Sequence, residues 1–85
     1  MRLRARLGFT VVTVLLVFAV TAFAADQGHA QAQFALGLMY DEDKGVAQDH
    51  KQAAAWWRRA ADQGDAQAQF NLGLMYLKGK GVAQD

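Results

Sequence analysis

Shifting the sequence by 36 positions lays residues 24–49 on residues 60–85 with identity at twenty-one of twenty-six positions. Only His29/Asp65, Ala35/Asn71, Asp41/Leu77, Glu42/Lys78 and Asp43/Gly79 differ. A period of this length is that of one supersecondary unit, which cannot bury its own apolar face and must stack on copies of itself. The chain is therefore expected to form a solenoid fragment of about one and a half units.

Within one unit the apolar spacing is helical. Phe34, Leu36, Leu38 and Met39 lie in a stretch from Ala30 to Tyr40 that lacks strand-like alternation and is rich in Ala, Leu, Gln and Met, which predicts a first helix. A second helix is predicted from about His50 to Gln63. There Ala53, Trp57 and Ala60 recur at i, i+4 and i+7 on one face, with Trp56 beside them and Arg58 and Arg59 toward solvent. Asp49-x-x-Gln52 has the form of a capping box, and Asp65 can cap the next first helix, where His29 is a weaker cap in the first copy. Gly28 and Gly64 stand where a helix would end in a left-handed residue. Asp43-Lys44-Gly45-Val46 and Gly79-Lys80-Gly81-Val82 are turn-forming stretches between the helices. Gly37 and Gly73 fall in mid-helix, where Gly costs about 1 kcal/mol relative to Ala, so they mark places where the second helix packs close against the first. Tyr40, Tyr76, Trp56 and Trp57 are read as packing around that seam rather than as a ligand cage.

These residues carry a resemblance. Leu36-Gly37-x-x-Tyr40 followed by Ala53-x-x-x-Trp57-x-x-Ala60 is similar to the tetratricopeptide pattern, but the inter-helix spacing and the period are longer. The combination AQFxLGLMY, GVAQD and AxxWWRRAAxQGDA resembles the Sel1-like repeat family over residues 24–85. Two features depart from it: Ala47 and Ala83 stand where that family often has Pro, and His50 where it often has an aromatic residue. They bear on loop rigidity, not on the family. The resemblance implies an all-α, short α-solenoid of helix-turn-helix repeats, with three helices following an N-terminal signal helix. Residues 25–60 would be the first repeat and residues 61–85 an incomplete second.

Arg2, Arg4 and Arg6 precede an uncharged run over residues 7–25, most apolar at residues 11–20, which ends in Ala22-Phe23-Ala24. A basic start, an apolar middle and small residues before the cut form the three-part signal-peptide pattern. Residues 1–24 are thus expected to be a leader cleaved after Ala24, with Ala22 and Ala24 the two small residues read by the peptidase. The alternative is a retained anchor, because nineteen uncharged residues lie at the short end of what spans a bilayer as a helix. Either way the domain is expected to be exported, to the periplasm or beyond. An amphipathic mitochondrial presequence fits poorly, since the arginines are confined to the start of the run.

Composition excludes most chemistry. Of 85 residues, roughly sixty would remain after cleavage, near the lower limit for a domain that folds alone. There is no Cys, hence neither a disulfide framework nor a thiolate metal site, and His29 and His50 are separated by a whole helix. Beyond the leader six Lys and Arg face eight Asp and Glu, a net charge of −2 that gives no footprint for nucleic acid. The same region lacks Ser and Thr as well as Cys, which removes the usual activated nucleophiles. Gly79-Lys80-Gly81 has neither the leading strand nor the following Ser or Thr of a phosphate-binding loop. Asp41-Glu42-Asp43 lacks the alternate-position spacing of a calcium loop. Neither a metal nor a cofactor is expected.

The mismatches between copies point to a working surface instead. Ala35/Asn71, Asp41/Leu77 and Glu42/Lys78 fall on the first helix of the unit or at its end, the helix that lines the concave face in the resembled families. Gln31, Phe34, Leu38 and Asp41, with Gln67, Asn71, Leu74 and Lys78, are expected to border a groove for a peptide or partner helix. The resemblance also puts Asn71 where related helical repeats bond the backbone of a bound peptide. The implied function is that of an exported, non-enzymatic adaptor for an unidentified protein or peptide, with self-association as another way to cover open surface. Two alternatives stand beside it. One is a truncated product of a longer array without independent activity: Asp85 aligns with Asp49, so the last helix keeps an uncovered apolar face and residues 25–85 would be marginally folded as a monomer. The other is a secreted hydrolase of the β-lactamase-like kind found among Sel1-like proteins, against which the absence of paired Cys counts.

Overall fold

A computed structural model of the chain describes residues 2–82, with side chains from Val11 onward. The side chains of Arg2, Arg4 and Arg6 and residues 83–85, including Ala83 and Asp85 of the repeat register, lie outside the described set. Among the described residues there are four helices and no strand: α1 (Arg2–Asp26), α2 (Ala30–Glu42), α3 (His50–Asp62) and α4 (Ala66–Lys78). They pack in chain order, α1 on α2, α2 on α3 and α3 on α4. This is the antiparallel stacking of a solenoid, in which each element touches its neighbours in sequence.

The helix ends follow from the capping residues. Asp49 accepts hydrogen bonds from the N–H groups of Lys51 and Gln52, and Asp65 accepts one from Ala68, whereas His29 makes no side-chain cap bond at the start of α2. The return half of the capping box is not made by Gln52, because the Asp49 N–H donates to the Tyr40 carbonyl at 2.9 Å. That bond fastens the loop entering α3 to the end of α2. At the other ends, Asp43 and Gly79 both take the left-handed conformation, with φ of 59° and 67°. Asp tolerates that region better than most residues, so this mismatch between copies preserves the turn.

The core is built around α3. Ala53, Ala54, Trp57 and Ala60 are buried together with Ala68 and Met75 of α4, and Phe34, Leu38, Tyr40, Leu72 and Val82 pack at the rim. Small residues on α3 let the neighbouring helices approach, and Trp57 fills the space between them. Its indole N–H donates to the Phe34 carbonyl at 3.0 Å, and its ring stacks on the Phe34 ring with centroids 6.4 Å apart. A Cβ placed on Gly37 would collide with this indole, which is why glycine is tolerated in the middle of α2. Trp56 differs from the expectation that it shares the seam: it is half-buried under the Arg59 guanidinium, 4.5 Å from the ring centroid. Arg58 likewise rests on an aromatic partner, lying over Tyr76 and bonding its hydroxyl.

Helix α1 runs without a break through Ala22 and Ala24, and its final turns reproduce the packing of α3 one period earlier. Gln33 donates its side-chain amide to the Ala25 carbonyl at 3.1 Å, as Gln69 does to Ala61, also at 3.1 Å. The Gly28 N–H bonds Ala25 as the Gly64 N–H bonds Ala61. A Cβ on Gly45 would meet Val14 of α1, and one on Gly81 would meet His50 of α3, and the two partners are again one period apart. Phe18 packs edge-on against Tyr40 with centroids 6.2 Å apart. The end of α1 thus covers α2 as α3 covers α4. Among the described residues, whose side chains begin at Val11, no helix is long and apolar enough to cross a membrane.

Candidate functional site

The antiparallel path sets α2 and α4 on either side of α3 and leaves a concave surface between them. One concavity, of about 310 Å³, is lined by Leu38, Asp41 and Glu42 of α2, Trp57 of α3, Asn71, Leu74, Met75 and Lys78 of α4, and Lys80. A second, of about 350 Å³, is lined by Phe34 of α2 and by Ala66, Gln67, Phe70 and Asn71 of α4. The two meet at Asn71, so the surface is a groove rather than an isolated pocket.

Seven of the eight residues expected on a concave face line these two depressions, and Gln31, exposed in the first turn of α2, stands outside them. Phe34, Leu38 and Leu74 give the groove an apolar floor shared with Trp57, and Asn71 adds an amide with two donors and an acceptor. One end is electrostatically divided, with Asp41 and Glu42 on the α2 wall and Lys78 and Lys80 on the α4 wall. The acids are partly engaged: Asp41 pairs with the His50 ring at 3.0 Å, and Glu42 with Lys44 at 3.1 Å. Sequence reasoning missed Glu42, Trp57, Met75 and Lys80 as lining residues of the first depression, and Ala66 and Phe70 of the second. Trp57 was legible as packing, but one indole can fill a seam on one side and border a groove on the other.

Gln33 is a second residue that the sequence reading did not single out. It is buried and fully bonded, donating to Ala25 and accepting from the Gln63 side chain at 2.8 Å. Its recurrence as Gln69 was the available signal. Gln33 links the ends of α1 and α3 to the first turns of α2, which makes it a strut rather than a ligand. The histidines are placed apart, His29 at the start of α2 and His50 against Asp41. Among the described residues no cluster of three or more His, Cys, Asp or Glu could hold a metal ion. The groove can contribute apolar contact, the side-chain amides of Gln67 and Asn71, and opposed charges.

Known proteins extend this description. Two crystal structures are similar to the chain over 84% of its length. One is a Sel1 repeat protein from Oxalobacter formigenes, 34% identical with a TM-score of 0.82. The other is c5321, a protective antigen of uropathogenic Escherichia coli with an SLR fold, 38% identical with a TM-score of 0.82. The chain spans only 29% and 15% of those two proteins. A comparison with curated proteins returned no match. A sequence model of the Sel1 repeat matches residues 30–65 and again residues 66–85, so that each match opens where α2 or α4 begins. The helical hairpin, its period and its relatives agree, and the chain belongs to the Sel1 repeat family.

Proposed function

We propose that this chain is an exported, non-enzymatic adaptor that holds a peptide segment of another protein in the groove between α2 and α4. Sel1 repeats are helical scaffolds of protein–protein interaction, which is the general ground for the reading. The observation that carries it is local: the groove is lined at the positions where the two copies differ, Asp41, Glu42, Asn71 and Lys78, while the packing residues around it are the same in both. A segment bearing both signs of charge suits its divided end, and an amide such as Asn71 suits an extended backbone. Panning a random peptide-display library on the purified chain tests this. Enriched peptides should lose binding to the Asn71→Ala, Lys78→Glu double variant, and undiminished binding would sink the groove.

Export rests on the basic, apolar and small-residue order of residues 1–24. Cleavage after Ala24 would uncover Tyr40 of α2 and Gly45 of the loop after it, which Phe18 and Val14 now cover. Retention of α1 as an anchor is the second reading, and the repeat-like packing of its last turns against Gln33 favours it. The intact mass of the exported protein decides between them. A chain beginning at Ala25 supports the leader, and a full-length chain in the membrane fraction supports the anchor.

A further inference from the structure

The residues that form the peptidase pattern and the first residues of the repeat overlap. Ala24-Ala25-Asp26-Gln27-Gly28 recurs as Ala60-Ala61-Asp62-Gln63-Gly64, so the bond expected to be cut, Ala24–Ala25, belongs to a segment built like the end of α3. The fold uses it that way. The bond lies within α1, which stays helical to Asp26, and Ala25 is 0% exposed while Ala22 and Ala24 are half-buried. The carbonyl that a peptidase must attack, that of Ala24, accepts the Gln27 N–H at 3.1 Å and the His29 N–H at 3.3 Å. The Ala25 carbonyl accepts the Gly28 N–H at 3.0 Å and the Gln33 side-chain amide at 3.1 Å. Gln33 is itself held at 2.8 Å by Gln63, the C-cap of α3, so this clasp ties the end of α1 to both following helices.

A peptidase takes its substrate as an extended strand, in which the chain advances about 3.3 Å per residue rather than the about 1.5 Å of a helix. Presenting residues 22–25 in that form requires the last turns of α1 to unwind and Ala25 to leave its burial. Cutting is also incompatible with docking afterwards. Hydrolysis adds water across the Ala24–Ala25 amide and leaves a carboxylate on Ala24 and an ammonium on Ala25, two charges where the fold now buries an alanine. We propose that the folded repeat locks its own leader. The clasp of Gln33 on Ala25 keeps the Ala24–Ala25 bond helical and closed to peptidase, so the leader is removed only before α1 docks, and a chain that folds first keeps α1 as its end helix. The lock rests on reading residues 1–24 as a leader, and it makes the two fates of that segment a matter of which event comes first.

The purified full chain and a synthetic peptide of residues 17–30, which lacks the rest of the fold, are each incubated with the catalytic domain of a signal peptidase, and the products are read by mass spectrometry. The peptide should be cut after Ala24, and the full chain about a hundredfold more slowly or less, since cutting tracks the fraction of chains that have opened. Gln33→Ala should speed cutting of the chain by about tenfold, the ratio expected for loss of a buried hydrogen bond. Gln63→Ala, which loosens Gln33 without touching Ala25, should speed it by less. Asp65→Ala removes the cap of α4 and leaves the clasp intact, so it should leave the rate unchanged. If Gln33→Ala loses its helical circular dichroism, the Gln63→Ala arm decides, and an unchanged rate there contradicts the clasp. The lock is overturned if the chain is cut as fast as the peptide, or if Asp65→Ala speeds cutting as much as the clasp variants, because protection would then be absent or would come from global stability. An uncut peptide overturns the leader reading itself, and the lock with it.

Discussion

The two copies of the first repeat helix, α2 and α4, form a natural experiment within one chain. Their sequences are nearly the same, their lengths are the same and both end in a left-handed residue. What separates them is covering: α2 lies between α1 and α3, while α4 is packed chiefly by α3 among the described residues. Leu36 and Gly37 are buried as a result, whereas their equivalents Leu72 and Gly73 are not. The comparison teaches that the residues of a repeat specify a shape to be filled, and that the neighbour decides whether filling it stabilises the chain. A glycine that is needed at one copy is only a weak point in the helix at the other.

The largest expected effect lies at the residue that makes the difference. Trp57→Ala removes the indole that fills the α2–α3 seam and its bond to Phe34, and should destabilise the chain by about 3–5 kcal/mol in urea titrations followed by circular dichroism. A loss below about 1 kcal/mol would mean that α3 does not hold α2 in this way. The paired truncations come next. Phe34→Ala should cost about 2 kcal/mol because its ring rests on Trp57, and Phe70→Ala under about 0.5 kcal/mol because its ring is mostly in solvent. Equal losses would show that α4 is covered in solution. The smallest effect concerns the caps, where the copies differ in the opposite sense. Asp65→Ala should cost about 1 kcal/mol, and His29→Asp should stabilise by a similar amount, since the first copy has a cap position without a side-chain bond. Local amide exchange in the first turns of α4 and α2 reads each change.

Much of this was legible before any coordinates because a repeat supplies its own control. The boundaries of α2, α3 and α4 followed from Asp49, Asp65, Gly28 and Gly64, whose capping roles are local and depend little on tertiary context. The close approach at Gly37 followed from the cost of glycine in mid-helix. The packing role of α1 did not, since its last turns share only Ala24, Ala25 and the residues after them with the end of α3, and its apolar run reads equally well as a leader. Nor could the fates of Trp56 and Trp57 be told apart by composition. They are adjacent, and only the rotation of α3 against α2 buries one and leaves the other under Arg59. The groove was legible as a set of variable positions, but its floor was not, because Trp57 and Met75 are the same kind of residue that packs a core.

The central claim, that identical glycines carry opposite meanings because one is covered and the other is not, is tested most directly by hydrogen exchange on the Gly37→Ala and Gly73→Ala variants of the full chain. A methyl group at position 37 meets the Trp57 indole and should speed amide exchange across α2 and α3, whereas one at position 73 enters open space and should slow exchange in α4 by an amount equivalent to about 1 kcal/mol. Opposite signs are the predicted result, and changes of the same sign in both variants would contradict the account.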